Sequence, residues 1–334
     1  MNRALLAASL LLTALAYADD KTQPAKLTER SRLEVQPVDG TPIKLLSIDN
    51  PLGDVKIEGY DGDSLQIETV KSGPDTDAID RMRVSLVPNP DGTVRLKTTA
   101  DAGKDWKPLN RDRIRVDLII HAPHSVRIDA ATSAGRLDVS KMDGGGDLDS
   151  GAGAIHVSNV QGDFATHSVN GPTSLSVVFG SVDAQTLASD LDLDTIGGEN
   201  LVATVDRGKI AGRRVRSRNV ELTTTEGKIF LEAEASLRGH LVVSSLRGDI
   251  DVKLRRTGAA NVRVRGTKVN FSGPMGQVDR SSSDGWVATH LGRIPSQMGQ
   301  HPQEVGRGPQ QLDDAPAVVQ MQSRYGIVSF TVVE

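Results

Sequence analysis

Acidic and histidine side chains recur in this sequence at intervals of about eighteen residues, and their types suit general acid–base chemistry or a metal site. Asp138 and His156 stand one such interval apart, as do Asp149 and His167. On strands stacked in register, each pair would face outward about 4.8 Å apart. That is close enough for a carboxylate to orient an imidazole as a base or to begin a metal site. A metal needs three or four ligands, and no third joins either pair, so no metal ligand is assigned. Asp129, Asp147 and Asp183 form a further column, in the manner of the acid clusters on polysaccharide-cleaving β-helices. Ala165 interrupts it, and no aromatic or basic sugar platform accompanies it. The segment Asp143-Gly-Gly-Gly-Asp147-Leu-Asp149 occurs once, without the tandem nine-residue period of calcium-binding β-rolls, and reads as a Gly-rich turn. No catalytic residue and no cofactor is expected.

Charge offers a different chemistry. Residues 121–200 hold 3 Lys/Arg and 11 Asp/Glu, a net of −8, whereas residues 201–270 hold 15 Lys/Arg and 7 Asp/Glu, a net of +8. Arg213, Arg214, Arg216 and Arg218 make the densest basic cluster, a candidate patch for an anionic envelope component or another protein. Nucleic acid is not expected, because no aromatic residues interleave with the basic ones.

The elements that must carry these columns are repeats. Anchored on Gly135, Gly153, Gly171, Ser189, Gly208, Gly227 and Gly248, they are spaced by 18, 18, 18, 19, 19 and 21 residues. Apolar residues recur seven and five before the anchor, as in Ile128/Ala130 and Val220/Leu222. They recur again two and four after it, as in Leu137/Val139 and Ile229/Leu231. A further apolar contact comes seven after it, at Met142, Val160, Val178, Ile196 and Val215. Two short period-2 strands around a turn predict one coil of a β-solenoid, with alternate residues inward. Three residues before the anchor lie Thr132, Ser150, Ser168, Thr186, Thr224 and Ser245, with Val205 the exception, and Ser323 takes that place around Gly326. Stacked in register they predict a hydroxyl ladder at the turn entry. One coil cannot offset its own ordering entropy, so several must stack.

The expected class is therefore all-β: a single-chain, β-helix-like β-solenoid with coils of about 18–21 residues, capped by an N-terminal multi-strand region. Aromatics are 3% and Gly numbers 33, which suits thin turn-rich β-structure rather than a large α/β enzyme. Arg3, the apolar run 4–16 and Ala16-Tyr17-Ala18 read as a signal peptide cleaved after Ala18. Residues 19–42 read as a flexible lead-in, and 43–334 as the solenoid domain. Within it, 43–121 are the cap strands, 126–273 the regular coils, 274–316 a flexible excursion and 317–334 the final coil. With no cysteine, disulfides and a lipidated cysteine are excluded. The expectation is a protein that is periplasmic or extracellular, with no transmembrane segment after signal removal.

The order "VDLIIHAPHSVRIDAATSAGRLDVSKMDG", Gly-containing repeats and the terminal "QSRYGIVSFTVV" resemble the bacterial β-strand-repeat family called "putative adhesin". The resemblance spans residues 43–334 and departs in the long excursion before the last repeat. It implies surface or envelope association and supplies no catalytic motif. The functional expectation is a non-enzymatic solenoid for envelope interaction, adhesion or scaffolding; the alternative is a carbohydrate-active β-helix lyase or hydrolase using surface carboxylates.

Overall fold

Period-2 alternation of apolar and polar residues leaves the backbone one efficient way to bury one face, and strands fill most of this chain. The computed structural model describes residues 27–101, 114–234, 238–255, 258–280, 284–292 and 316–333. The expected signal peptide, residues 19–26 of the lead-in and residues 281–283 and 293–315 of the excursion lie outside the described residues. The chain divides into two compact units, Met1–Gly162 and Asp163–Glu334. Both are all-β with mostly parallel sheets.

In the first unit the strands are β1 (Leu27–Val35), β2 (Leu45–Asn50), β3 (Val55–Tyr60), β4 (Leu65–Gly73), β5 (Met82–Pro88), β6 (Thr93–Ala100), β7 (Arg115–Pro123), β8 (Arg127–Thr132), β9 (Leu137–Ser140), β10 (Gly146–Ser150) and β11 (Ile155–Gln161). One sheet runs β1-β4-β7-β3-β9-β11 and the other β10-β8-β2-β6-β5. The repeat register is in place: Leu46 and Ile48 pair with Ile128 and Ala130, which pair with Gly146 and Leu148. Val55 and Ile57 pair with Leu137 and Val139, which pair with Ile155 and Val157. Antiparallel pairing is confined to β1–β4, β4–β7 and β5–β6 among the described strands of this unit.

One sequence expectation needs correction here. Residues 27–35 of the lead-in are an edge strand, not a flexible segment: β1 runs antiparallel to β4 in unbroken register. Its polar composition hides the alternation, because Arg30 and Arg32 both reach Glu68 across the strand pair, at 3.3 and 3.0 Å. Charged side chains of this kind also protect an open sheet edge. The polar stretch 72–80 contains a one-turn helix α1 (Thr76–Asp80), and Asp75 caps it by accepting from the Ala78 amide at 2.7 Å.

In the second unit one sheet runs β13 (Thr173–Phe179), β15 (Leu191–Gly197), β17 (Ile210–Val215), β19 (Ile229–Glu234), β21 (Ile250–Arg255), β26 (Ile327–Val333) and β23 (Lys268–Ser272). The other runs β12 (Phe164–Ser168), β14 (Val182–Thr186), β16 (Asn200–Arg207), β18 (Asn219–Glu226), β20 (His240–Arg247), β25 (Ala317–Ser323), β22 (Ala260–Arg265) and β24 (Val287–Leu291). The inward pairs expected from spacing sit opposite one another, from Phe164–Val182 to Val220–Leu241. The last repeat does not take the terminal place expected for residues 317–334. β25 lies between β20 and β22, and β26 between β21 and β23. At Gly326 the inserted repeat rests directly on another turn, since a Cβ built there would lie 2.0 Å from the Gly248 carbonyl oxygen. The excursion is not wholly irregular either: residues 287–291 form β24, antiparallel to β22, with Leu291 fully buried.

One turn of each repeat is shaped by close backbone contact. A Cβ on Gly135 or Gly153 would stand 1.7 or 1.8 Å from the carbonyl oxygen of Gly53 or Gly135. In the second unit the distances are 1.7 Å for Gly227 over Gly208 and 1.8 Å for Gly248 over Gly227. Only glycine lets one turn rest on the next at that separation. Six residues past the anchor, the chain turns a second corner through a left-handed residue: Lys141 and Asn159 in the first unit, Val177, Thr195 and Arg214 in the second, with φ from 52° to 58°. That extra residue shifts strand parity, so the residue seven past the anchor points inward. The corner vanishes after Arg214, at a register shift between Gly212 and Val215. Ala233, Leu254 and Val332 then face inward at six past the anchor by plain alternation.

Candidate functional site

The hydroxyl column is the most ordered polar feature. Thr132, Ser150, Ser168, Thr186, Thr224, Ser245 and Ser323 are all buried. In the first unit Thr132 Oγ1 donates to the Gly135 carbonyl at 2.8 Å, and Ser150 Oγ to that of Gly153 at 2.7 Å. Thr132 also lies 3.4 Å from Ser150. Asn50 heads this column, donating to the Gly53 and Val116 carbonyls at 3.1 and 2.9 Å and accepting from Thr98 at 2.5 Å. Asn50 stands three before Gly53, the same offset as the hydroxyls. Ser168 closes its turn likewise, onto the Gly171 carbonyl at 2.6 Å, whereas Ser323 accepts its own turn's Gly326 amide at 2.9 Å and donates across to the Gly248 carbonyl at 2.8 Å. Ser245 lies 3.4 Å from the Gly227 carbonyl. Among the described residues the Thr186 and Thr224 hydroxyls have no hydrogen-bond partner. The column therefore satisfies turn backbone and does not present chemistry to solvent.

A second column escaped sequence reasoning. Asp54, Asp190 and Asp249 follow their anchors directly. Each accepts the amide one repeat on, from Arg136, Lys209 and Ile327, at 2.8, 2.8 and 3.0 Å. The Lys209 amide holds the Asp190 carboxyl below the usual aspartate range. The pattern Gly/Ser-Asp at three anchors was the available signal.

The candidate catalytic acids do not converge. Asp129 and Asp147 sit opposite each other on β8 and β10, but Asp147 pairs with Arg127 at 2.9 Å. Partial burial, with the charges of Asp147 and Asp149 added, raises the Asp129 carboxyl above the usual aspartate range. Ala165 stands opposite Asp183 on the other unit's strands. Asp138 and His156 are cross-strand partners, yet Asp138 turns to Arg136 at 2.8 Å. Asp149 and His167 belong to different units. Among the described residues no three His, Asp or Glu side chains could hold a metal ion. In the Gly-rich segment, Asp143 and Gly144 amides are bound by the His124 carbonyl and Gly146–Ser150 is β10.

The basic cluster is exposed but largely paired. Arg214 meets Asp194, with its Nε also on Thr195 at 2.8 Å; Arg216 meets Glu234 at 3.1 Å and Arg218 meets Glu199 at 3.3 Å. Arg213 has no ion-pair partner among the described residues. Asp190, Asp194 and Glu199 thus face Lys209, Arg214 and Arg218 one repeat on, so the charge contrast between the two sequence stretches is partly compensated where they meet. A different basic pair lines a cleft of about 490 Å³: Arg265 and Arg324, with Gly266, Thr267, Gln322 and Ser323. These residues are remote in sequence and come together through the insertion of β25 beside β22.

No family model matches the chain, and no curated protein matches it. Solved structures similar to it bear adhesin and lipid-binding names. One is a "putative adhesin" from Bacteroides fragilis, 13% identical, TM-score 0.38, covering 94% of this chain and 100% of that one. Another is a "putative lipid binding protein" from Parabacteroides distasonis, 12% identical, TM-score 0.39, covering 92% and 97%. A third is a "putative cell adhesion protein" from Clostridium sporogenes, 10% identical, TM-score 0.26, covering 92% and 100%. Likeness at these values transfers no activity. Among the described residues no helix is long and apolar enough to cross a membrane.

Proposed function

We propose that the chain is an exported, non-enzymatic β-solenoid for cell-envelope interaction, adhesion or scaffolding. In this reading residues 1–18 are the export signal, and the strands between residues 27 and 123 that flank β2 and β3 cap the stack. Residues 126–273 with 317–334 are its coils. The observation that supports it best is the filling of the outward columns by neighbour-to-neighbour ion pairs, such as Arg127–Asp147, Lys209–Asp190 and Arg216–Glu234. Exposed pairs of this kind add little stability. They do leave a solvated, charge-mixed exterior rather than a cleft of convergent acids. The residual positive charge around Arg213, Arg214, Arg216 and Arg218 is the part of this surface assigned to an anionic partner.

The test is sedimentation of the exported protein with isolated bacterial envelopes, together with its mature N-terminal sequence. Association that weakens with salt, and a mature chain starting at Asp19, are expected. Protein that stays in the supernatant at every ionic strength would overturn the envelope role. Changing Arg213, Arg214, Arg216 and Arg218 to Ser should weaken sedimentation; unchanged salt-sensitive binding would remove the patch from the proposal. One observation favours the alternative enzyme, namely the raised Asp129 carboxyl that a general acid needs. Release of reducing or unsaturated ends from envelope polysaccharide, abolished by Asp129→Asn, would establish it.

A further inference from the structure

Most arginines on this surface face a carboxylate; the two that line the cleft beside the inserted strand do not. Arg265 ends β22 and Arg324 follows β25, and both are exposed. Neither has an ion-pair partner among the described residues, and no acid is among the described residues lining the cleft. The Arg324 guanidinium lies 5.4 Å from the ring centroid of its neighbour Tyr325, a stacking distance that restrains its plane. Gln322, the strand partner of Arg265, brings an amide to the same wall.

The hydrogen-bonding capacity of the remaining wall is already used. The Thr267 amide and hydroxyl both donate to the Gly326 carbonyl, at 3.0 and 2.9 Å. The Arg324 amide donates to the Ser245 carbonyl at 3.1 Å. Ser323 Oγ donates to the Gly248 carbonyl and accepts the Gly326 amide. These bonds fix the floor. What is left to meet a ligand is two guanidinium forks and one carboxamide, a set of donors carrying two positive charges.

We propose that this cleft binds a phosphate group carried on a larger molecule. Two planar forks match phosphate oxygens bidentately, and two charges balance the nearly dianionic phosphomonoester near neutral pH. A space of about 490 Å³ exceeds what inorganic phosphate alone fills. The Arg213–Arg218 cluster lacks this character, since three of its four guanidinia are engaged by carboxylates. The proposal deepens the envelope reading by naming the chemistry recognised, and it rests on that reading only for the source of the ligand. Because the cleft needs both β22 and β25, occupancy should also stabilise the inserted repeat by mass action.

The test titrates the full-length exported protein with inorganic phosphate and glucose 1-phosphate by calorimetry, and with phosphatidylcholine vesicles with or without phosphatidic acid by flotation. Binding of at least one phosphate-bearing probe, with a rise in Tm, is expected. Glucose 1-phosphate binding without flotation identifies a soluble phosphorylated ligand, and flotation only with phosphatidic acid identifies a lipid headgroup; either supports the shared chemistry. The pair Arg265→Gln with Arg324→Gln should weaken binding at least tenfold, and Arg265→Lys by a smaller factor through loss of the fork. Arg30→Gln with Arg32→Gln, two exposed arginines of β1 that face Glu68, should leave it unchanged. Failure of every probe to bind, or binding that survives the Arg265/Arg324 pair, would overturn the proposal. Phosphate binding without envelope sedimentation would sink the envelope reading and leave the cleft standing. The ligand-free Tm of Arg265→Lys controls for folding.

Discussion

The two corners of each repeat obey different rules. At the glycine corner one turn rests on the carbonyl of another, and a side chain has no room at Gly135, Gly153, Gly227, Gly248 or Gly326. At the other corner five successive repeats use non-glycine residues in the left-handed region, Val177 among them, and the later repeats drop the corner altogether. The first corner is a requirement of stacking, so it persists wherever turns stack, apart from Ser189. The second is a local change of strand parity, which the fold accepts with or without an extra residue. Contact across repeats fixes residue identity; a bend within a repeat fixes only the count.

Substitutions can break or sharpen that contrast. The largest effect is expected from Gly227→Val, whose Cβ would meet the Gly208 carbonyl at 1.7 Å. Urea unfolding should register a loss of about 3 kcal/mol or more, in the range of severe core strain. Thr195→Val, at the other corner, should change stability by less than about 1 kcal/mol; equal losses at the two sites would dissolve the contrast.

The hydroxyl entry to the glycine corner comes next. Ser150→Ala should cost about 1 kcal/mol by orphaning the Gly153 carbonyl. Thr224→Val should be neutral or stabilising by up to about 1 kcal/mol, because that buried hydroxyl lacks a partner. Val205 already occupies the same column fully buried.

At the left-handed corner, Val177→Gly should stabilise by about 0.5–1 kcal/mol, because glycine removes the positive-φ strain. Ala233→Gly, where the corner is missing, should destabilise by about 1 kcal/mol. Thermal melts would read both, and a loss at Val177→Gly would show that its side chain outweighs its backbone.

The smallest effects are in pH dependence and carry opposite signs. Asp190 is depressed in the folded state, so its contribution is present above the unfolded aspartate pKa and fades as pH falls through its folded value. Asp190→Asn should therefore destabilise at pH 7 and become neutral in acid. Asp129 is raised, so its favourable contribution exists below the unfolded pKa and is lost as pH rises through the folded one. Asp129→Asn should stabilise at pH 7, with the gain disappearing below about pH 4. Denaturant midpoints from pH 3 to pH 7 would separate the two.

Much of the register was legible because glycine and inward aliphatics are set by contacts that recur at fixed offsets. Ile128, Leu148, Val182 and Leu201 could be placed opposite their partners from spacing alone. Features set by a single long-range contact were not legible. β1 is disguised by the arginines that reach Glu68, and Asn50 substitutes an amide where the column otherwise carries hydroxyls. The helix α1 is one turn held by Asp75, too short to show periodicity. Arg265 and Arg324 look like scattered surface charges until β25 is laid against β22. The Arg213–Arg218 run was conspicuous in the sequence because its members are adjacent. Its pairing with Asp194, Glu199 and Glu234 depends on stacking, which adjacency does not reveal.

The insertion of β25 and β26 also bears on how the protein is made. A ribosome produces β20 to β23 before the two strands that separate them. Until those strands arrive, β22 and β23 have no parallel neighbour in this arrangement. Assembly of that region must therefore wait until β25 and β26 have been made. Premature termination before Ala317 would remove the middle of a ladder rather than its tip, leaving β22 to β24 without the parallel strands that anchor them.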